Sequence, residues 1–132
     1  MHQPTSSPAI LIVEDEAIVA EDLSHKVMAL GYRIAGLVRT GQEAIHAMQQ
    51  SPADVILLDV QLSGTLDGIE TAKILQKVGN PAIVFVTAHS DPETVKKANA
   101  TSPYGYILKP FGERDLAVQI DIALHKHRAD KA

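Results

Sequence analysis

Ile10-Leu11-Ile12-Val13-Glu14-Asp15-Glu16 is a short apolar run, rich in β-branched residues, that stops abruptly in three acids. A run of that length without polar alternation reads as a strand buried on both faces, and such strands belong to parallel sheets covered by helices. Outward from it, residues 17–30 bring apolar side chains back at helical spacing (Ile18, Leu23, Val27, Leu30), and Gly31 supplies a helix stop. The order is strand, then helix.

The unit repeats along the chain. Residues 33–38 read as a strand, and Thr40-Gly41-Gln42-Glu43 has the form of a capping box opening a helix to about Gln50. Val55-Ile56-Leu57-Leu58-Asp59 is a wholly apolar strand ending in an acid, followed by helical spacing over 68–78 (Ile69, Ala72, Leu75). Ala82-Ile83-Val84-Phe85-Val86-Thr87 is a fourth buried strand, and Asp91-Pro92-Glu93 is a helix start with Asp as cap. A short fifth strand over 105–108 precedes Lys109-Pro110 and a last helix over about 113–127, with Leu116, Ile120 and Leu124 on one face. Strand-then-helix units with short connections imply a parallel five-stranded sheet with helices on both faces, because right-handed crossovers place them there. The fold class is α/β, a single open doubly wound domain.

The bulk numbers agree with one domain. The chain has 132 residues, 45% hydrophobic and 21% charged, with mean hydropathy near zero, the composition of a globular protein with one core. A net charge of −4 and a pI near 5.8 have the wrong sign for displacing counterions from nucleic-acid phosphates, so direct nucleic-acid binding is not expected. Cysteine is absent, which removes disulfides, thiolate nucleophiles and Cys-ligated zinc and suits a cytoplasmic setting. No apolar run approaches the roughly 18–20 residues of a membrane span, so no membrane association is expected. Residues 1–8 are polar, lack the basic and apolar stretches of a signal peptide and read as a disordered lead-in. The domain is expected over 9–127, with 128–132 as a C-terminal tail.

In doubly wound sheets, ligands bind beyond the carboxyl ends of the strands, near the reversal of strand order. The non-apolar residues cluster at those ends: Glu14 and Asp15 after the first strand, Asp59 after the third, Thr87 closing the fourth and Lys109 after the fifth. One charged residue there marks only where water begins. Three carboxylates, a hydroxyl and an ammonium on one sheet edge describe a site, with hard oxygen donors suited to Mg²⁺ or Mn²⁺. Clustered carboxylates need a cation and Lys109 to stay ionised, and an ionised Asp is an oxygen nucleophile toward phosphorus. Phosphoryl transfer asks mainly for positioning and charge neutralisation, which Lys109, the Thr87 hydroxyl and a divalent cation supply.

The ordered set Ile10-Leu11-Ile12-Val13-Glu14-Asp15-Glu16, Val55-Ile56-Leu57-Leu58-Asp59, Val86-Thr87-Ala88 and Tyr106-Ile107-Leu108-Lys109-Pro110-Phe111 resembles the receiver domain of two-component response regulators, over about 9–127. The resemblance implies a flavodoxin-like (βα)5 domain with strand order 2-1-3-4-5 and a cis bond at Lys109-Pro110. It implies that Asp59 accepts a phosphoryl group from the phosphohistidine of a histidine kinase or a histidine phosphotransfer protein. It further implies that Asp15, Asp59 and the Gln61 backbone carbonyl ligate Mg²⁺, with Glu14 acting through metal-bound water. Lys109 would pair with Asp59 and afterwards with a phosphoryl oxygen, and Thr87 would move inward to hydrogen-bond the phosphoryl group. Tyr106 would then turn from exposed to buried and alter the face of helix four, strand five and helix five. The output would pass to a downstream protein or to a covalently attached effector or kinase domain, with a homodimer as a further option. The domain would be no enzyme beyond its own phosphorylation and slow dephosphorylation.

The sequence departs from the family pattern at two places. Glu14 stands where Asp is commoner, one methylene longer, and Gln61-Leu62-Ser63-Gly64-Thr65-Leu66-Asp67-Gly68 is one residue longer than the usual loop and lacks its proline. Gln61 and His89 occupy positions that tune acyl-phosphate hydrolysis in the family. Other functions of this fold fit less well. A flavodoxin needs a phosphate cradle after the first strand, where Glu14-Asp15-Glu16 repels phosphate. A phosphatase of the haloacid dehalogenase type wants an acid at Gln61, and a degenerate receiver acting only as an interaction module would not keep Asp15, Asp59, Thr87 and Lys109. The six histidines are scattered and read as surface residues, as does the basic run His125-Lys126-His127-Arg128 near a helix C-terminus.

Overall fold

A computed structural model describes residues 7–131, so most of the expected lead-in lies outside the described residues. The elements alternate along the chain: β1 (Ala9–Val13), α1 (Ala17–Ala29), β2 (Arg33–Val38), α2 (Gly41–Gln50), β3 (Val55–Leu58), α3 (Gly68–Leu75), β4 (Ala82–Thr87), α4 (Pro92–Asn99), β5 (Gly105–Leu108) and α5 (Glu113–Lys131). All strands pair in parallel, in the order β2-β1-β3-β4-β5. Strand order therefore reverses between β1 and β3.

Successive side chains of a strand point to opposite faces, so an unbroken apolar run feeds two cores at once. Ile10, Ile12, Leu57, Val84 and Val86 pack with Leu23 and Val27 of α1 and Leu116 and Ile120 of α5. Their neighbours Leu11, Val13, Ile56, Leu58, Ile83 and Phe85 pack with Ala44 and Met48 of α2 and Ala72 and Leu75 of α3. Each large side chain so buried contributes about 1.5–3 kcal/mol. The edge strand β2 alternates exposed and half-buried residues instead, and Ile10 pairs with Ile34 while Leu11 pairs with Gly36, which leaves Ala35 as a bulge.

Capping places the helix starts where the sequence predicts them. Thr40 Oγ1 accepts from the Glu43 N–H at 3.1 Å, Asp67 accepts from the Glu70 N–H at 2.8 Å, and Asp91 accepts from the Thr94 N–H at 3.0 Å. Two helix ends differ from expectation. The helix predicted over 68–78 ends at Leu75: the chain tightens into three-residue turns (Lys77 N–H to Ile74 O, 3.0 Å; Val78 N–H to Leu75 O, 2.9 Å) and then takes left-handed φ at Gly79 and Asn80. The last helix does not stop at His127 but runs to Lys131 through the expected tail. Tertiary bonds hold that extension, since Tyr104 Oη donates to Asp130 at 2.5 Å and the His127 Nε2–H donates to the Asn80 carbonyl at 2.5 Å. His127 is consequently buried, at 6% exposure, and is not the surface residue expected, whereas His125, Lys126 and Arg128 are exposed.

Candidate functional site

β1 and β3 lie side by side with Val13 opposite Leu58, so the residues after each leave the sheet together at the reversal of strand order. Glu14, Asp15 and Asp59 each bring a carboxylate oxygen to within 4.8 Å of the others. The backbone locks this meeting, because the Asp59 N–H donates to Val13 O at 3.1 Å and the Glu14 N–H to Val38 O at 3.0 Å. Two strands further on, the Lys109 N–H donates to Thr87 O at 2.9 Å. From there the Lys109 side chain reaches back, its Nζ 2.7 Å from Glu14 Oε1 and 3.0 Å from Asp59 Oδ2, with Glu16 Oε1 at 3.9 Å. Asp15, Asp59, Gln61, Thr87, His89 and Lys109 line one open pocket of about 680 Å³.

Burial decides the electrostatics. The Glu14 carboxyl is pushed up by its burial, only partly offset by hydrogen bonds from Lys109 and the Glu16 N–H, and Asp59 beside it adds to the rise. Burial acts to lower the Lys109 ammonium, but the hydrogen bonds to Glu14 and Asp59 and their charges outweigh it and hold it above the ordinary lysine value. Glu14 and Asp59 thus share the Lys109 ammonium. The donor set is all oxygen and over-supplied with negative charge, which fits a small, hard divalent cation.

Glu14 is 1% exposed and spends its oxygens on Lys109 and on the Glu16 N–H, at 3.1 Å. Thr87 is fully buried, with Oγ1 accepting from the His89 N–H at 3.3 Å, and the Gln61 N–H donates to Asp59 Oδ1 at 3.2 Å. Tyr106 is half-buried: its hydroxyl donates to the His89 carbonyl at 2.7 Å and its ring packs 6.1 Å from that of Phe85. The Lys109-Pro110 peptide is cis.

Two residues escaped the sequence reading. Ser63, in the longer loop, donates to Asp15 Oδ2 from both its hydroxyl and its backbone N–H; the length of the loop was the only available signal. Gly68 read only as the end of the longer loop and the start of the next helix, yet it presses against the backbone of Asp59 and Val60. A Cβ there would run into the Asp59 carbonyl oxygen and come within 2.7 Å of Val60 Cα, because the Gly68 N–H donates to Val60 O at 2.8 Å.

A doubly wound domain with an acid cluster at its switch point and a lysine bridging two of the acids defines a class of α/β module whose ligand edge suits a divalent cation. The chain belongs to the response regulator receiver domain family, whose profile matches residues 10–121, and that makes it a component of two-component signalling. It is similar to the transcriptional regulatory protein PdtaR of Mycobacterium tuberculosis, with 33% identity over 119 residues, 90% of this chain and 58% of that protein. It is similar also to the positive alginate biosynthesis regulatory protein of Pseudomonas aeruginosa, with 34% identity over 126 residues, 93% of this chain and 50% of that protein. The chain thus spans about half the length of these curated relatives. Among solved structures, the signal receiver domain of a modulated diguanylate cyclase from Desulfovibrio desulfuricans superposes with a TM-score of 0.89 at 36% identity, covering 95% of this chain and 99% of that one. The N-terminal domain of a response regulator/sensory box/GGDEF protein from Carboxydothermus hydrogenoformans gives 0.86 at 31% identity, covering 94% and 99%. Among the described residues, no helix is long and apolar enough to cross a membrane.

Proposed function

We propose that Asp59 is the phosphoacceptor of a Mg²⁺-dependent phosphorelay step, with the phosphohistidine of a histidine kinase or histidine phosphotransfer protein as donor. The observation that carries this reading is the meeting of Glu14, Asp15 and Asp59 within 4.8 Å with the Lys109 ammonium 3.0 Å from Asp59. Asp15, Asp59 and the Gln61 backbone carbonyl are the proposed ligands of Mg²⁺ or Mn²⁺, and Glu14 acts through water while holding Lys109. When bound, the ion offsets the negative charge of the phosphoryl oxygens.

An Asp59 carboxylate oxygen attacks phosphorus as the P–N bond breaks. The electron pair returns to the donor ring nitrogen, and the ring, protonated at its other nitrogen, leaves as neutral imidazole; Asp59 becomes an acyl phosphate. Lys109 then shifts from Asp59 to a phosphoryl oxygen, and the Thr87 hydroxyl turns to donate to another. Tyr106 supports the readout. Its hydroxyl is bonded to the His89 carbonyl, two residues beyond Thr87, so movement of that loop is passed to β5 and to the face it forms with α4 and α5. A cytoplasmic downstream protein, an attached effector or kinase domain, or a second copy in a homodimer would read that face.

The test is incubation with acetyl phosphate or the cognate kinase. Labelling of about one phosphate per chain that requires Mg²⁺ and disappears in Asp59→Asn supports the proposal. Labelling that survives Asp59→Asn overturns it. Multiple turnover of a phosphate ester would indicate a phosphatase instead.

A further inference from the structure

Asp15 is held from the side by the loop that departs from the family pattern. Ser63 donates twice to the same carboxylate oxygen, Oδ2, from its hydroxyl at 2.7 Å and from its backbone N–H at 3.2 Å. Among the described residues no donor reaches Oδ1. Ser63 is itself tethered: it forms a parallel bridge with Thr40, and Gln42 Nε2 donates to Thr65 Oγ1. Between these ties, Gly64 takes φ +99, a conformation that glycine adopts without strain. The loop over 61–66 is therefore stitched to the β2–α2 turn and lies across Asp15.

We propose that Ser63 is a positioning residue for the cation site, saturating one oxygen of Asp15 and fixing its carboxylate so that the other oxygen is available to the ion. The inference rests on reading Glu14, Asp15 and Asp59 as a cation site. Asp15 is only half-buried, so packing alone does not freeze its torsions, and a ligand left free to rotate pays that ordering when the ion binds. A partner that orders the carboxylate beforehand removes the cost. Ser63 is exposed and belongs to neither core, so changing it leaves the fold intact.

Calorimetric titration of Mg²⁺ into the full chain, without any phosphodonor, tests this. Ser63→Ala, which loses the hydroxyl but keeps the N–H, is expected to raise the Mg²⁺ Kd about tenfold, while Ser63→Thr, which keeps both donors, stays within about twofold of the unaltered protein. The thermal midpoint of both variants without Mg²⁺ should be unchanged. If Ser63→Ala binds as well as the unaltered protein, or Ser63→Thr loses as much as Ser63→Ala, the inference is overturned and the acid cluster stands. If the unaltered protein takes up no Mg²⁺, the inference and the phosphoacceptor reading fall together.

Discussion

Lys109 lies nearer to Glu14 than to Asp59: its Nζ is 2.7 Å from Glu14 Oε1 and 3.0 Å from Asp59 Oδ2. Glu14 is almost wholly buried, so this ammonium is its principal neutralising partner. Lys109→Met keeps the aliphatic stem and leaves two buried carboxylates uncompensated, for an expected loss of roughly 3–5 kcal/mol without Mg²⁺, measured by urea unfolding. Adding Glu14→Gln should recover part of the loss. Equal stability of Lys109→Met and the unaltered protein would show that Lys109 compensates no buried charge.

Gly68→Ala should act on Asp59 from behind. The added methyl meets the Asp59 carbonyl oxygen and Val60 Cα, backbone atoms that cannot swing away, so α3 or the end of β3 must shift. The expected cost is roughly 1–3 kcal/mol in thermal or urea unfolding, together with slower Mg²⁺-dependent labelling of Asp59. Unchanged stability and unchanged labelling would mean that the contact is relieved without moving Asp59.

The Asp67 cap fastens the helix that carries Gly68. Its side chain accepts from the Glu70 N–H at 2.8 Å, and Glu70 Oε1 accepts from the Asp67 N–H at 3.0 Å. Asp67→Ala is expected to cost about 1 kcal/mol, and Asp67→Asn, which retains an acceptor oxygen, clearly less. The two variants would be compared in the same unfolding assay, and equal losses would refute the cap.

Tyrosine ionisation offers a readout that the absence of tryptophan keeps clean. Tyr104 is pushed up to about 12 by its hydrogen bond to Asp130, then by burial and the Asp130 charge. Tyr32 and Tyr106 are raised by burial first, with acidic neighbours adding to it. A phenol whose folded value lies above its unfolded value favours the folded state in its neutral form. That contribution is complete below the ordinary value of 10.0 and is lost as pH rises through about 12. Tyr104→Phe should remove the last step of the ultraviolet titration; a curve that keeps that step assigns it to another tyrosine.

Most of the fold was legible because β1, β3 and β4 are unbroken apolar runs, a pattern that only a sheet covered on both faces accommodates. Helix starts were legible too, since Thr40 and Asp91 cap through bonds to residues three positions on. Helix ends were less so. α5 continues past His127 because Tyr104 and Asn80, distant in sequence, bond to Asp130 and His127, and nothing local to residues 128–131 announces that. Ser63 was hidden for the same reason, its partner Asp15 lying on another strand's exit.

By itself the sequence determined the alternation of strand and helix, the placing of Glu14, Asp15, Asp59, Thr87 and Lys109 at strand ends, and the family resemblance that the ordered motifs carry. Periodicity and capping are local, and a sheet with short crossovers leaves few topologies. Only the tertiary structure decided how those ends share charge. Lys109 spans from β5 to both Glu14 and Asp59, Ser63 bonds to Asp15, and Gly68 packs beneath Asp59. Such contacts depend on distances across the sheet edge of a few ångströms, set by strand order and register rather than by any spacing along the chain.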